Sequence, residues 1–176
     1  IAWLALYPGG YDYDAPAQLR QFMNPAYKVN THFSVLFSYL EYLIVSLGYK
    51  IFGNYQAAIG LFTFLQMTIV SLVTSYSSYF IYKESRNNKV LLLISVTFFS
   101  LFPFHLLLQI SCVQDTLFAS SILIFAISIY KLINRTSNNK FDILSLIISG
   151  ILATLFRNNG IYIIIFLLII SILICF

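Results

Sequence analysis

One stretch constrains this chain more than any other. Residues 55–82 run from Tyr55 to Tyr82 without a charged side chain. About 20 apolar residues in a helix cross the hydrocarbon core of a bilayer, so this run suits lipid better than a water-facing surface. The same character recurs in residues 33–52, 90–108, 117–133, 141–156 and 161–176, and residues 1–6 read as the tail of an earlier helix. Of 176 residues, 60% are hydrophobic and 9% are charged, whereas a soluble domain carries about 25% charged residues. The expected fold is therefore all-α, a polytopic membrane helical bundle. The chain begins at Ile1 and ends at Phe176, each inside an apolar run, and we read it as a fragment of one transmembrane domain that is truncated at both ends.

The few charges carry topology. The net charge is +4, but the basic residues are scattered rather than gathered in a stripe, which argues against a nucleic-acid partner. Two short basic connections stand out: residues 83–89 with Lys83, Arg86 and Lys89, and residues 131–140 with Lys131, Arg135 and Lys140. Lys and Arg gather in cytoplasmic loops, so the turn around Asp115 and the turn 157–160 are expected outside. Counting back through 55–82 puts Gly53 and Asn54 outside as well. If the opening loop is also external, residues 33–52 begin and end on one side and lie in the interface. Glu41 in their middle agrees, since a carboxylate at the bilayer centre is costly. The expectation is an external loop over 7–54 with an interfacial helix, then about five transmembrane helices over 55–176. A true span at 33–52 would instead force one loop to the other side. Tyr76, Tyr79, Tyr82 and Tyr130 sit near span ends, the aromatic-belt pattern.

The candidate chemistry lies on the external side. In residues 7–20, YPGGYDYDAPAQLR, Pro8, Gly9 and Gly10 stop the first helix and let the chain turn. Asp12 and Asp14 follow, and Gln18 comes one helical turn after Asp14. A carboxylate held there beside amides acts as a general base or holds a divalent cation; it equally serves as a solvated turn residue or helix cap. Asp115 is a second carboxylate for such a site, or the start of a helix. Arg157, with Asn158 and Asn159 beside it, presents a guanidinium that matches phosphate or snorkels to the head groups. His105, after Pro103, is a polar contact or a structural ring, and His32 opens the interfacial segment. Neither histidine has a partner at zinc-ligand spacing, and Cys112 and Cys175 read as small apolar residues. No glycine-rich nucleotide loop and no GxSxG occurs.

These pieces resemble a known group. PGGYDYDAPAQ looks like the PGxxxxDxxxQ stretch of bacterial membrane proteins in the GT-C glycosyltransferase superfamily. LGYKIFGN (47–54), Gln66-Met67, QDTLFA (114–119) and FRNNG (156–160) fit the same group in order and rough spacing. The resemblance implies a GT-C bundle with a long first external loop that contains a surface helix and an essential acid. It implies transfer of a sugar from a polyprenyl-phosphate donor to a glycan, lipid or protein acceptor at the outer face of the bacterial cytoplasmic membrane. Asp14 then corresponds to the first-loop acid, Asp115 to the acid of the second external loop, and Arg157 to the cation for the lipid phosphate. Gln18, Asn158, Asn159 and His105 are further substrate-binding candidates, and Asp14 with Asp115 is the candidate site for a divalent cation, Mg or Mn. Two positions depart from the pattern: His32-Phe33 stands where many relatives have His-Pro, and Gln114 where Lys is common, which removes a possible phosphate contact. The expected reaction uses Asp14 as base on the acceptor and Arg157 on the leaving phosphate. The alternatives are a transporter or flippase-like protein for lipid-linked saccharide or another anion, and a non-catalytic membrane subunit.

Overall fold

The structure is a computed structural model that describes residues 2–11, 14–24, 26–30, 32–134 and 139–175. Asp12 and Arg135 lie outside the described residues. Helices account for nearly all of the rest: α1 (Ala2–Ala5), α2 (Asp14–Met23), α3 (Val35–Phe52), α4 (Tyr55–Glu84), α5 (Lys89–Leu101), α6 (Pro103–Gln109), α7 (Gln114–Asn134), α8 (Asn139–Phe156) and α9 (Gly160–Cys175). Among the described residues the extended structure is one isolated bridge, Gly10 to Ser111.

Among the described residues three helices, α3, α4 and α7, are long and apolar enough to cross a membrane. The pair α5 and α6 would make a fourth if counted as one span, but it is bent by 57°. The sequence expectation of a single helix over 90–108 is corrected here. Phe102 is extended (φ −69, ψ 113) and Pro103 starts the new helix, because a proline disfavours the α conformation in the residue before it. The stretch of α9 from Gly160 to Leu173 is apolar but shorter.

Local signals set the turns. Gly53 ends α3 in the left-handed region (φ 66), and its N–H donates to the Tyr49 carbonyl. Asn54 then caps α4 by accepting from Gln56 N–H at 2.8 Å, so two residues suffice to reverse the chain. The hairpin closes tightly because Gly48 faces Ala58: a Cβ at Gly48 would meet Ala58 Cα at 2.8 Å. At the other end of the hairpin Phe37 and Phe62, both buried, pack edge to face at 5.8 Å.

Two sets of contacts fix which ends of the helices lie together. At one end, Gln66 Nε2 of α4 donates to the Ser111 carbonyl at 2.6 Å, just before α7 begins. At the other, Lys131 of α7 donates to Tyr76 of α4 at 2.7 Å and ion-pairs with Asp142 of α8 at 3.5 Å. The α7–α8 hairpin therefore has residues 114 and 156 at the first end and its 134–139 connection at the second. Ser34, which caps α3, also lies at the first end, where its Oγ donates to the Leu155 carbonyl at 2.6 Å. Tyr55 lies about 16 Å along α4 from Gln66, away from Glu84, by the 1.5 Å rise of a helix. α3 thus starts level with the end where α7 starts and α8 stops, and its C-terminus lies about 16 Å further along α4, away from Glu84.

Candidate functional site

The opening loop is the first wall of the site, and four contacts hold it. Trp3 Nε1 donates to Thr63 Oγ1 at 3.0 Å, and Thr63 Oγ1 donates to the Pro8 carbonyl at 2.6 Å. Gly10 N–H donates to the Ile110 carbonyl at 2.9 Å, and Cys112 N–H donates to the Gly10 carbonyl at 2.8 Å. Gly9 is held at φ +110, and a Cβ there would collide with the Ile110 carbonyl oxygen. Only glycine meets both demands. The loop is thereby stapled to residues 110–112, immediately ahead of α7.

This stapling brings the predicted residues together. Asp14, Asp115, Arg157, Asn158 and Asn159 line one polar cavity of about 630 Å³. Asp14 is the first residue of α2, and Asp115 lies in the first turn of α7, positions where a helix favours negative charge. Arg157 follows the last residue of α8, where a helix favours a cation. The turn behind it closes as Gly160 N–H donates to the Arg157 carbonyl at 2.8 Å. Arg157 Nη1 lies 3.1 Å from Asp115 Oδ1, with both side chains about half exposed (45% and 48%). Asp115 Oδ1 gains no hydrogen bond from this approach, so the pair is held by charge alone and its donors stay available for a ligand. The guanidinium also sits 5.6 Å from the Phe118 ring centroid, a cation–π contact.

Two further predicted residues lie elsewhere. Gln18, one turn along α2 from Asp14, is buried under the loop, and its Oε1 has no hydrogen-bond partner. His105 packs its ring against Phe98, Phe99 and Phe102 at 5.1–5.6 Å. It lines a second, largely apolar cavity of about 340 Å³ between α4, α6 and α7, and Asp115 and Arg157 form part of that wall too. The ion pair thus stands between a polar chamber and an apolar one. A third cavity, about 520 Å³ between α3, α4, α7 and α8, has no ionisable residue in its lining and offers no chemistry of its own.

The cavity takes one residue that the sequence did not single out, Asn30, and three that it noted without giving them a site role. Asn30, His32, Phe33 and Gln114 line the polar cavity. The Asn30 side chain accepts from His32 N–H at 2.9 Å and sets the turn that carries the ring there. Glu41 is fully buried, and neither carboxylate oxygen has a hydrogen-bond partner. It faces the protein, so its position on α3 does not report on lipid. Burial first, then the charges of Glu41 and Cys112, push the Tyr11 phenol up to about 12, against a smaller downward pull from Arg20. Among the described residues no three His, Cys, Asp or Glu side chains are placed to hold a metal ion. Asp14 and Asp115 would be the protein's share of a Mg site, which commonly takes one or two carboxylates and completes its shell with water and phosphate.

A polar chamber and an apolar one thus share an ion pair in an all-helical bundle with membrane-length helices. The chain belongs to DUF6020, a family of unknown function that matches residues 22–175. No curated protein and no solved structure matches it.

Proposed function

We propose that the chain is the core of an integral membrane glycosyltransferase of the GT-C type, multi-pass in a bacterial cytoplasmic membrane, that takes a sugar from a polyprenyl-phosphate donor at the external face. One observation carries this reading: Asp14, Asp115 and Arg157 line a single polar cavity, and the Asp115–Arg157 pair also walls an apolar one. A phosphate on Arg157 would hold its sugar in the first chamber and the start of its lipid chain in the second. The charge pattern supports the orientation. Lys83, Arg86 and Lys89 fall at the end of α4 opposite the cavity, and basic loops face the cytoplasm. α3 starts at the cavity end and runs away from the basic loops, which supports a helix within the first external loop.

The chemistry asked of these residues is simple. Asp14 accepts the proton of the acceptor nucleophile as its oxygen or nitrogen attacks the anomeric carbon. The bond from that carbon to the phosphate oxygen breaks, and polyprenyl phosphate leaves with the electron pair. Arg157 stabilises the charge that grows on the departing phosphate. The cavity holds two carboxylates against one guanidinium, so the incoming phosphate competes with Asp115 for Arg157.

The bend between α5 and α6 favours the transporter reading, since broken helices line many transport paths. The two are separated by incubating the full chain, in vesicles, with a panel of radiolabelled polyprenyl-phosphate sugars. The glycosyltransferase reading requires release of polyprenyl phosphate in the presence of an acceptor. Movement of intact donor across the bilayer, without cleavage, would replace it with the transporter.

A further inference from the structure

Gln114 lines the polar cavity, yet its neutral amide stands where the resemblance places a Lys. Its partner explains the choice. Ser34 backbone N–H donates to Gln114 Oε1 at 3.1 Å across 80 residues of sequence. A backbone N–H is only a donor, so the amide oxygen must face Ser34 and the NH₂ must face away. Lys has no acceptor and could not make this bond. Ser34, 1% exposed, is a junction of three elements. It caps α3 by accepting from Phe37 N–H at 3.1 Å, donates to the Leu155 carbonyl near the end of α8 at 2.6 Å, and reaches α7 through Gln114. Phe33 and Asp115, each next to one of these contacts, and Arg157, two residues beyond Leu155, line the cavity.

We propose that Gln114 has two faces: its oxygen locks the start of α3 to α7, and its NH₂ is a binding group for a phosphate oxygen in the cavity beside Arg157. This rests on the proposed lipid-phosphate ligand for its second half only. A neutral donor suits the place. It adds a hydrogen bond to an anion without pulling Asp115 away from Arg157, as an ammonium there would. Sequence reading treats the Gln as the loss of a phosphate contact; the hydrogen-bond direction assigns it one.

Three variants of the full chain in nanodiscs separate the two faces. Hydrogen exchange of the Ser34–Ser38 amides reads the lock, and titration with farnesyl phosphate, with farnesol as control, reads the donor. Gln114→Glu keeps the acceptor but loses the donor. Exchange should stay as in wild type, while farnesyl phosphate binding falls by more than the about tenfold of one lost hydrogen bond to a charged group, since the added carboxylate also repels the phosphate. Gln114→Lys keeps a donor but loses the acceptor, and exchange should quicken. Gln114→Met loses both and should show both effects. Unchanged binding in Gln114→Glu overturns the donor, and unchanged exchange in Gln114→Lys and Gln114→Met overturns the lock. Wild type that fails to bind farnesyl phosphate more tightly than farnesol overturns the donor half together with the proposed function, whereas the exchange result still decides the lock.

Discussion

Arg157→Ala separates a ligand contact from a structural strut. The Arg157–Asp115 pair spans 3.1 Å between side chains that are nearly half exposed. Such pairs contribute about 0–1 kcal/mol to folding, and the Phe118 ring adds roughly 0.5–1 kcal/mol. The variant should therefore lose less than about 2 kcal/mol of stability, a few degrees in thermal midpoint for a chain of this size. Binding should change far more. Hydrogen bonds from a guanidinium to a charged partner contribute about 1.5–3 kcal/mol, or ten- to hundredfold in Kd. Isothermal titration of a short polyprenyl phosphate into nanodisc-held protein reads this directly. Arg157→Lys keeps the charge but not the fork and should fall between wild type and Ala. A variant that binds within twofold of wild type while melting ten degrees or more lower would refute the reasoning, for Arg157 would then be a strut.

Four other outcomes follow from the same structure. Gly48→Ala puts its Cβ 2.8 Å from Ala58 Cα, a backbone clash that should lower stability by about 1–3 kcal/mol in thermal melts; Gly60→Ala meets only the Tyr7 ring, which can swing aside, and should cost less. Glu41→Met removes a buried carboxylate that has no hydrogen-bond partner and should raise the thermal midpoint; a fall would reveal a partner. Tyr11 titrates at about 12 rather than its ordinary 10.0, so its contribution is complete below the unfolded value and is lost as pH rises through the folded one; Tyr11→Phe should flatten that alkaline loss in a pH series of melts. Cysteines placed at Asn54 and Asn87 should label from opposite sides of the membrane, Asn54 from outside; labelling of both from one side would undo the assigned topology.

Much of the fold was legible because lipid-length apolar runs leave few alternatives. The α3–α4 turn was written in Gly53 and Asn54, and the ends of α7 and α8 fell close to the polar residues that flank them. The break at Pro103 was missed, because the apolar composition on both sides reads as one continuous run. Asp14, Asp115 and Arg157 were visible because a charge in such a chain is conspicuous. His32 and Gln114 were noted but given no site role, since a neutral side chain does not announce its partner; that of Gln114 is Ser34, 80 positions away. Glu41 drew notice for the wrong reason. Sequence reading set its charge against the bilayer, whereas the fold buries it completely in the protein.

The central claim is that Asp14 is the base in a site for polyprenyl-phosphate sugar. Its most direct test is single-turnover release of polyprenyl phosphate by the full chain and its Asp14→Asn variant, with donor affinity measured in parallel. Loss of release with donor binding retained is the predicted result. Release at the wild-type rate from Asp14→Asn would contradict the account.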